Sequence, residues 1–120
     1  EITAVVADLA DYDLGRADWD LVVSIFLHLP PKLRAGVHER MAKAIAPGGS
    51  LVLEAYSPRQ LEYRTGGPSS VDWLMTPEML RREFADLTIV HLEEMVRDVQ
   101  EGRGHDGPAA VVQLIARRDQ

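Results

Sequence analysis

Apolar and polar positions fall in blocks along this chain, and the period within each block predicts its element. Ile2–Ala7 is a short apolar run rich in β-branched side chains, which predicts a buried strand that stops at Asp8. A turn-rich connector, DLADYDLGRAD, follows. Trp19–Leu29 (WDLVVSIFLHL) is almost continuously apolar after Asp20, the pattern of a strand covered on both faces. Pro30 and Pro31 end it, and Pro31 suits the first turn of a helix. From Lys32 to Ala46, Leu33, Val37, Met41, Ala44 and Ile45 recur at helical spacing, with Arg34, Glu39, Arg40 and Lys43 on the other face. Pro47-Gly48-Gly49 stops this helix, and Ser50–Tyr56 (SLVLEAY) predicts another buried strand.

Strand, helix and strand in that succession form a βαβ unit, which implies parallel strands and a right-handed crossover. Residues 57–75 make a polar loop containing Gly66-Gly67-Pro68. Thr76-Pro77-Glu78 is a helix start, with a hydroxyl N-cap, proline at the first position and an acidic residue facing the dipole. Met79, Leu80 and Phe84 carry that helix to Ala85. Two strands, near Leu87–Val96 and Ala109–Ala116, close the chain; with no helical pattern between them they predict an antiparallel hairpin. The expected fold class is α/β, a mostly parallel sheet flanked by helices and ending in that hairpin, in a single domain spanning 1–120.

Composition narrows the function classes. The chain has 120 residues, 46% of them apolar and 27% charged, within the range of a globular domain. The net charge of −6 and the absence of any Lys/Arg block argue against a nucleic-acid partner, since phosphate neutralisation needs a basic face. No stretch reaches the roughly 20 apolar residues of a membrane span, so no membrane partner is expected. With no cysteine there is neither disulfide nor thiolate metal site, and a cytoplasmic location fits. A small-molecule partner is the expectation that remains.

In an open parallel sheet, ligands bind outside the carboxyl ends of the strands. That rule puts Asp8, His28, Glu54 and Tyr56 at one edge and Asp20 at the other, where it serves as a structural cap. Each has a plainer alternative. Asp8 can be an Asx-turn acceptor, His28 a packed and hydrogen-bonded side chain, Tyr56 a support under the loop, and Glu54 the partner of a nearby arginine. Gly102–Gly107 matches the G-x-G-x-x-G dinucleotide pattern in letters, but that mechanism needs a helix after the last glycine. Pro108 and an apolar strand pattern follow instead, so it reads as a hairpin turn. The four histidines, His28, His38, His91 and His105, are scattered without metal-ligand spacing, and no G-x-S-x-G or Ser-x-x-Lys motif is present.

The order of elements, together with VVADLADYDL, WDLVVSIFLHLP, IAPGGSLVLEAY and RTGGPSSVDWLMTPEMLRREF, resembles the class I S-adenosylmethionine-dependent methyltransferases, most of all the small tellurite-resistance-type branch. The resemblance covers nearly the whole chain but only the second half of the family's Rossmann-like fold. It implies that the chain carries the third to seventh strands, in an incomplete sheet that lacks the first two. The glycine-rich loop after the family's first strand and the acidic residue ending its second have no counterpart here.

The resemblance further implies S-adenosylmethionine as cofactor, with Asp8 and Leu9 at the adenine and Ser24, Ile25 and Phe26 near the methionine portion. It places Tyr56, the 57–75 loop and His105 around a small-molecule methyl acceptor, with His28 as the candidate base. A sulfonium already carries an activated methyl group, so such catalysis can rest mainly on alignment. The alternative is a truncated, catalytically silent fragment that folds or self-associates through exposed sheet edges. A nicotinamide-dependent dehydrogenase half shares the open sheet, but the closing hairpin and the lack of Tyr-x-x-x-Lys count against it.

Overall fold

The computed structural model describes residues 1–63, 65–100 and 106–120. In order come β1 (Trp19–Ile25), α1 (Pro31–Ala44), β2 (Ile45–Tyr56), α2 (Pro77–Glu83), β3 (Thr88–Gln100) and β4 (Asp106–Arg117). Two short 3₁₀ helices, Pro58–Glu62 and Val71–Trp73, lie in the loop between β2 and α2.

The strands form one sheet in the order β1-β2-β4-β3. β1 runs parallel to β2, while β4 pairs antiparallel with both β2 and β3. The fold is mixed α/β: β1, β2 and β3 run in one direction, and β4, inserted between β2 and β3, runs opposite to them. α1 returns the chain between β1 and β2, and the 57–75 loop with α2 does so between β2 and β3. β3 and β4 have no such return between them and therefore run in opposite directions.

One face of the sheet carries the core. Leu51, Leu53 and Ala55 of β2 stand opposite Ala116, Leu114 and Val112 of β4. They pack with Val37 and Met41 of α1 and with Leu80 and Phe84 of α2. Both helices begin with proline, and the Thr76 hydroxyl accepts the Met79 N–H at 3.2 Å, the expected cap. On the opposite face Leu21, Val23, Ile25 and Ile115 remain 55%, 55%, 46% and 38% exposed. The apolar run in β1 therefore does not have both faces covered, although its composition is that of a strand that does.

Three further expectations change. Ile2–Ala7 forms no ladder, and Ile2 and Val6 are almost wholly exposed at 94% and 103%. A strand exists only where a neighbour takes its hydrogen bonds, and the next segment is tied down elsewhere. Arg40 of α1 donates to the Tyr12 carbonyl at 2.6 Å and to the Leu9 carbonyl. β1 ends at Ile25, not Leu29, because Phe26 takes a left-handed backbone, φ 50°. Arg34, placed by its spacing on the polar face of the helix, is buried at 5% exposure.

The two faces of the sheet predict opposite responses in urea unfolding. Leu53→Ala, in the packed face, should lower stability by about 2–5 kcal/mol. Val23→Thr, on the open face, should change it by about 0.5 kcal/mol or less. Equal losses would show that the open face is packed in solution.

Candidate functional site

The parallel register of β1 and β2 brings their carboxyl ends together, Ile25 opposite Glu54. Just beyond, the Phe26 N–H donates to the Glu54 carbonyl at 2.8 Å, and His28 Nε2 accepts the Tyr56 backbone N–H at 2.9 Å. The Tyr56 ring stacks on Phe26, centroids 4.7 Å apart at 17°, and on His28, 5.4 Å apart at 12°. These aromatic contacts and two hydrogen bonds hold the turn after β1 against the end of β2. The positive φ of Phe26, uncommon for a residue with a side chain, makes the turn and points its ring at Tyr56.

The loop after β2 is laced onto the same end. Ser57 N–H donates to the Ala110 carbonyl at 3.0 Å, and Met75 N–H donates to the Tyr56 carbonyl at 3.0 Å. Gln60, buried, accepts the Ala110 N–H and donates to Thr65 Oγ1 and the Gly66 carbonyl, all within 2.9–3.0 Å. Thr65 Oγ1 in turn donates to the Pro108 carbonyl at 2.7 Å. Gly67, at φ 85°, lies flat against Tyr56: a Cβ there would stand 2.5 Å from Tyr56 Cδ2. Tyr56 is consequently buried beneath the loop.

Two carboxylates near this end are engaged by arginine. Glu54 accepts from Arg97 Nε at 2.8 Å, from Arg97 Nη2 at 2.5 Å and from Gln113 Nε2 at 2.9 Å. Burial alone would raise its pKa, but these hydrogen bonds and the Arg97 charge outweigh burial and hold it below the ordinary value. Glu83 of α2 pairs with Arg34 of α1 at 3.1 Å and lies 2.8 Å from His38 Nδ1. Burial pushes its carboxyl up as well, and the hydrogen bonds from His38 and Arg34 more than reverse that. Both groups are settled anions rather than poised bases.

The expected site residues separate. His28, Tyr56 and Phe26 meet at the strand ends. Ser24 is buried at 5% exposure, on the β1 face toward the helices, while Ile25 faces the open side. Asp8 accepts the Ala10 N–H at 2.9 Å and closes an Asx turn. Leu9, next to it, lines an apolar groove of about 350 Å³ with Leu14, Val23 and Leu27. His105 lies outside the described residues. Residues 102–105 of the glycine-rich stretch lie outside the described residues, and β4 begins at Asp106. Among the described residues no group of three or more metal-ligating side chains gathers, and no helix is long and apolar enough to cross a membrane.

Sequence reasoning missed Gln60 and the Arg34–His38–Glu83 cluster. The i, i+4 spacing of Arg34 and His38 on one helix face was a signal for the cluster. Gln60 had none.

No protein-family model and no curated protein matches the chain. Solved structures do. One, concerned with the conversion of a disulfide bond into a thioacetal group during echinomycin biosynthesis, superposes with a TM-score of 0.69 at 20% identity, over 96% of this chain and 55% of its own. TehB from Haemophilus influenzae gives 0.64 at 16%, over 90% and 40%. An S-adenosylmethionine-dependent methyltransferase from Methanosarcina mazei gives 0.66 at 14%, over 97% and 67%. At such identities the likeness is one of fold, and this chain has the class I methyltransferase-like fold. It spans about half the length of the solved structures it matches.

Two measurements check this geometry. A carboxyl whose folded pKa lies below its unfolded value stabilises the fold above that unfolded value, about 4.3 for Glu, and the contribution is lost as pH falls through the folded pKa. Urea midpoints should therefore drop steeply below about pH 4.3, and Glu83→Gln should flatten the drop while lowering stability at neutral pH. An unchanged profile would remove Glu83 from the acid response. Gly67→Ala should cost about 1–3 kcal/mol, from strain at positive φ and displacement of Tyr56, read by urea unfolding and near-UV circular dichroism. A variant as stable as the parent would mean that the loop does not rest on Tyr56.

Proposed function

We propose that this chain is the C-terminal part of an S-adenosylmethionine-dependent methyltransferase, the third to seventh strands of its sheet, acting on a small-molecule acceptor. The observation that carries the proposal is the sheet order β1-β2-β4-β3, three strands running together with the last strand inserted antiparallel between β2 and β3, within a fold match over 90–97% of the chain. The unpaired Ile2–Ala7 and the bare β1 edge agree with it, as segments whose neighbours are the first two strands.

The residues present fit part of the cofactor. Asp8 offers an exposed carboxylate, and Leu9 with Val23 and Leu27 offers apolar walls suited to a flat base. Ser24, Ile25 and Phe26 end the strand beside which the methionine portion would lie. When bound, the cofactor supplies a methyl group already activated by its sulfonium. The protein's share is orientation: the 57–75 loop, held by Gln60, Thr65 and Gly67, covers the acceptor, and the buried Tyr56 with Phe26 supports that loop from beneath. His105 is proposed at the acceptor by resemblance alone. His28 is the proposed base. Its Nε2 accepts the Tyr56 amide, so in the neutral ring Nδ1 already carries the proton, and Nε2 can take up another only after that amide is released. A cytoplasmic location fits this activity.

A second reading rests on the edge position of β1, which pairs with β2 alone, together with its half-exposed Leu21, Val23 and Ile25. The isolated 120-residue chain self-associates through this edge and is silent in catalysis. Sedimentation at rising concentration separates the two, since the cofactor-binding protein with a completed sheet should stay at one mass.

The direct test is the melting temperature of the longer gene product with and without S-adenosylhomocysteine. Ligand at about 100 times its Kd adds roughly 2.7 kcal/mol of stability, so the melting temperature must rise. Asp8→Ala should reduce that rise. No shift in the longer product would remove the proposal. In that active protein, His28→Ala should lower turnover substantially; unchanged turnover with weakened stability would leave His28 as the acceptor of the Tyr56 amide and nothing more.

A further inference from the structure

Arg34 and Glu83 both stand where helix electrostatics disfavours them. Arg34 is the fourth residue of α1, near the positive end of the dipole, in a helix with no acidic residue in its first turn. Glu83 is the last residue of α2, at the negative end. Both side chains are nearly buried, at 6% and 9% exposure. A buried ion pair of this kind adds little stability over well-packed apolar residues, so stability alone does not account for it. Departures from local preference on this scale concentrate where geometry has to be specified.

The guanidinium does more than pair. Its Nε and Nη2 face Glu83 at 3.1–3.3 Å, and its Nη1 donates to the backbone carbonyl of Asp72 at 3.2 Å. Glu83 is held from its other side by His38, whose ring packs 4.6 Å from Phe84. The fork thus fixes one direction with a carboxylate and uses the other to grip the loop. Immediately after Asp72 and Trp73 come Leu74, buried against Tyr56, and Met75, whose N–H donates to the Tyr56 carbonyl. A path of contacts therefore runs from the α1–α2 contact through residues 72–75 to the aromatic strand end.

We propose that Arg34 is a positioning residue for the 57–75 loop: oriented by Glu83 and His38, it holds the Asp72 carbonyl and so fixes where the loop lies over Tyr56. That this loop covers a methyl acceptor rests on the methyltransferase reading; the hold itself does not.

The test uses the 120-residue chain with Trp19→Phe, so that Trp73 is its single tryptophan. Trp73 is 36% exposed and reports the loop through acrylamide quenching, while trypsin reports it by cleavage after the exposed Arg59. Arg34→Met/Glu83→Gln removes the fork and leaves His38 a hydrogen-bonding partner. Arg34→Lys keeps the charge opposite Glu83 but not the second arm. In both variants quenching and Arg59 cleavage should rise about threefold or more while far-UV circular dichroism and the urea midpoint hold, the mark of local rather than global opening.

Unchanged quenching and cleavage in a folded variant would overturn the proposal. So would loss of the whole fold in both variants, since the cluster would then be a staple of the core. Neither readout involves cofactor, so failure of S-adenosylhomocysteine to bind the longer product would remove the methyltransferase reading and leave the hold on the loop intact.

Discussion

The parallel pairing of β1 with β2 is the constraint on which the candidate site depends. Parallel strands end on the same side of a sheet, and α1 makes the return that permits it. From that register follows the meeting of Phe26, His28 and Tyr56, which no local feature of the three residues would produce. The left-handed turn at Phe26 and the bond from the Tyr56 amide to His28 then hold the meeting point in one arrangement. The loop to α2 can pack on this end because Tyr56 presents a flat ring and Gly67 has no side chain to keep it away.

The charges around this end are arranged for fixity. Glu54 is clasped by Arg97 and Gln113, and Glu83 by Arg34 and His38, so neither carboxylate is positioned to exchange protons with a ligand. The arrangement fixes both carboxylates in place. It also ties elements that share few apolar contacts: β2 to β3 through Arg97, and α1 to the loop through the Asp72 carbonyl.

β1 carries the opposite message. Its sequence is that of an interior strand, yet one face stays half-exposed and it pairs on one side alone. Contiguous exposed apolar side chains of this kind mark interaction surfaces in folded proteins. Ile2–Ala7, also apolar, is exposed and forms no ladder at all. Both agree with the chain's spanning about half of the solved structures it resembles.

Periodicity and turn chemistry by themselves determined α1, the cap at Thr76, the strand in β2 and the apolar cores of β3 and β4, because each is set by neighbours within a few residues. They also placed His28 and Tyr56 at a strand end, since strand direction follows from the βαβ order. What they missed depended on distant partners. Ile2–Ala7 had a strand's composition, and only the sheet decides whether a strand has a neighbour. Arg34 had the spacing of a surface residue, and only the approach of α2 put Glu83 beside it and buried both. For Glu54 the strand-end position left two readings open, ligand contact or an arginine partner, and only the register of β3 and β4, which brought Arg97 and Gln113 to it, chose the second. Hydrogen bonds and burial over such separations are properties of the assembled sheet, and a linear pattern holds no record of them.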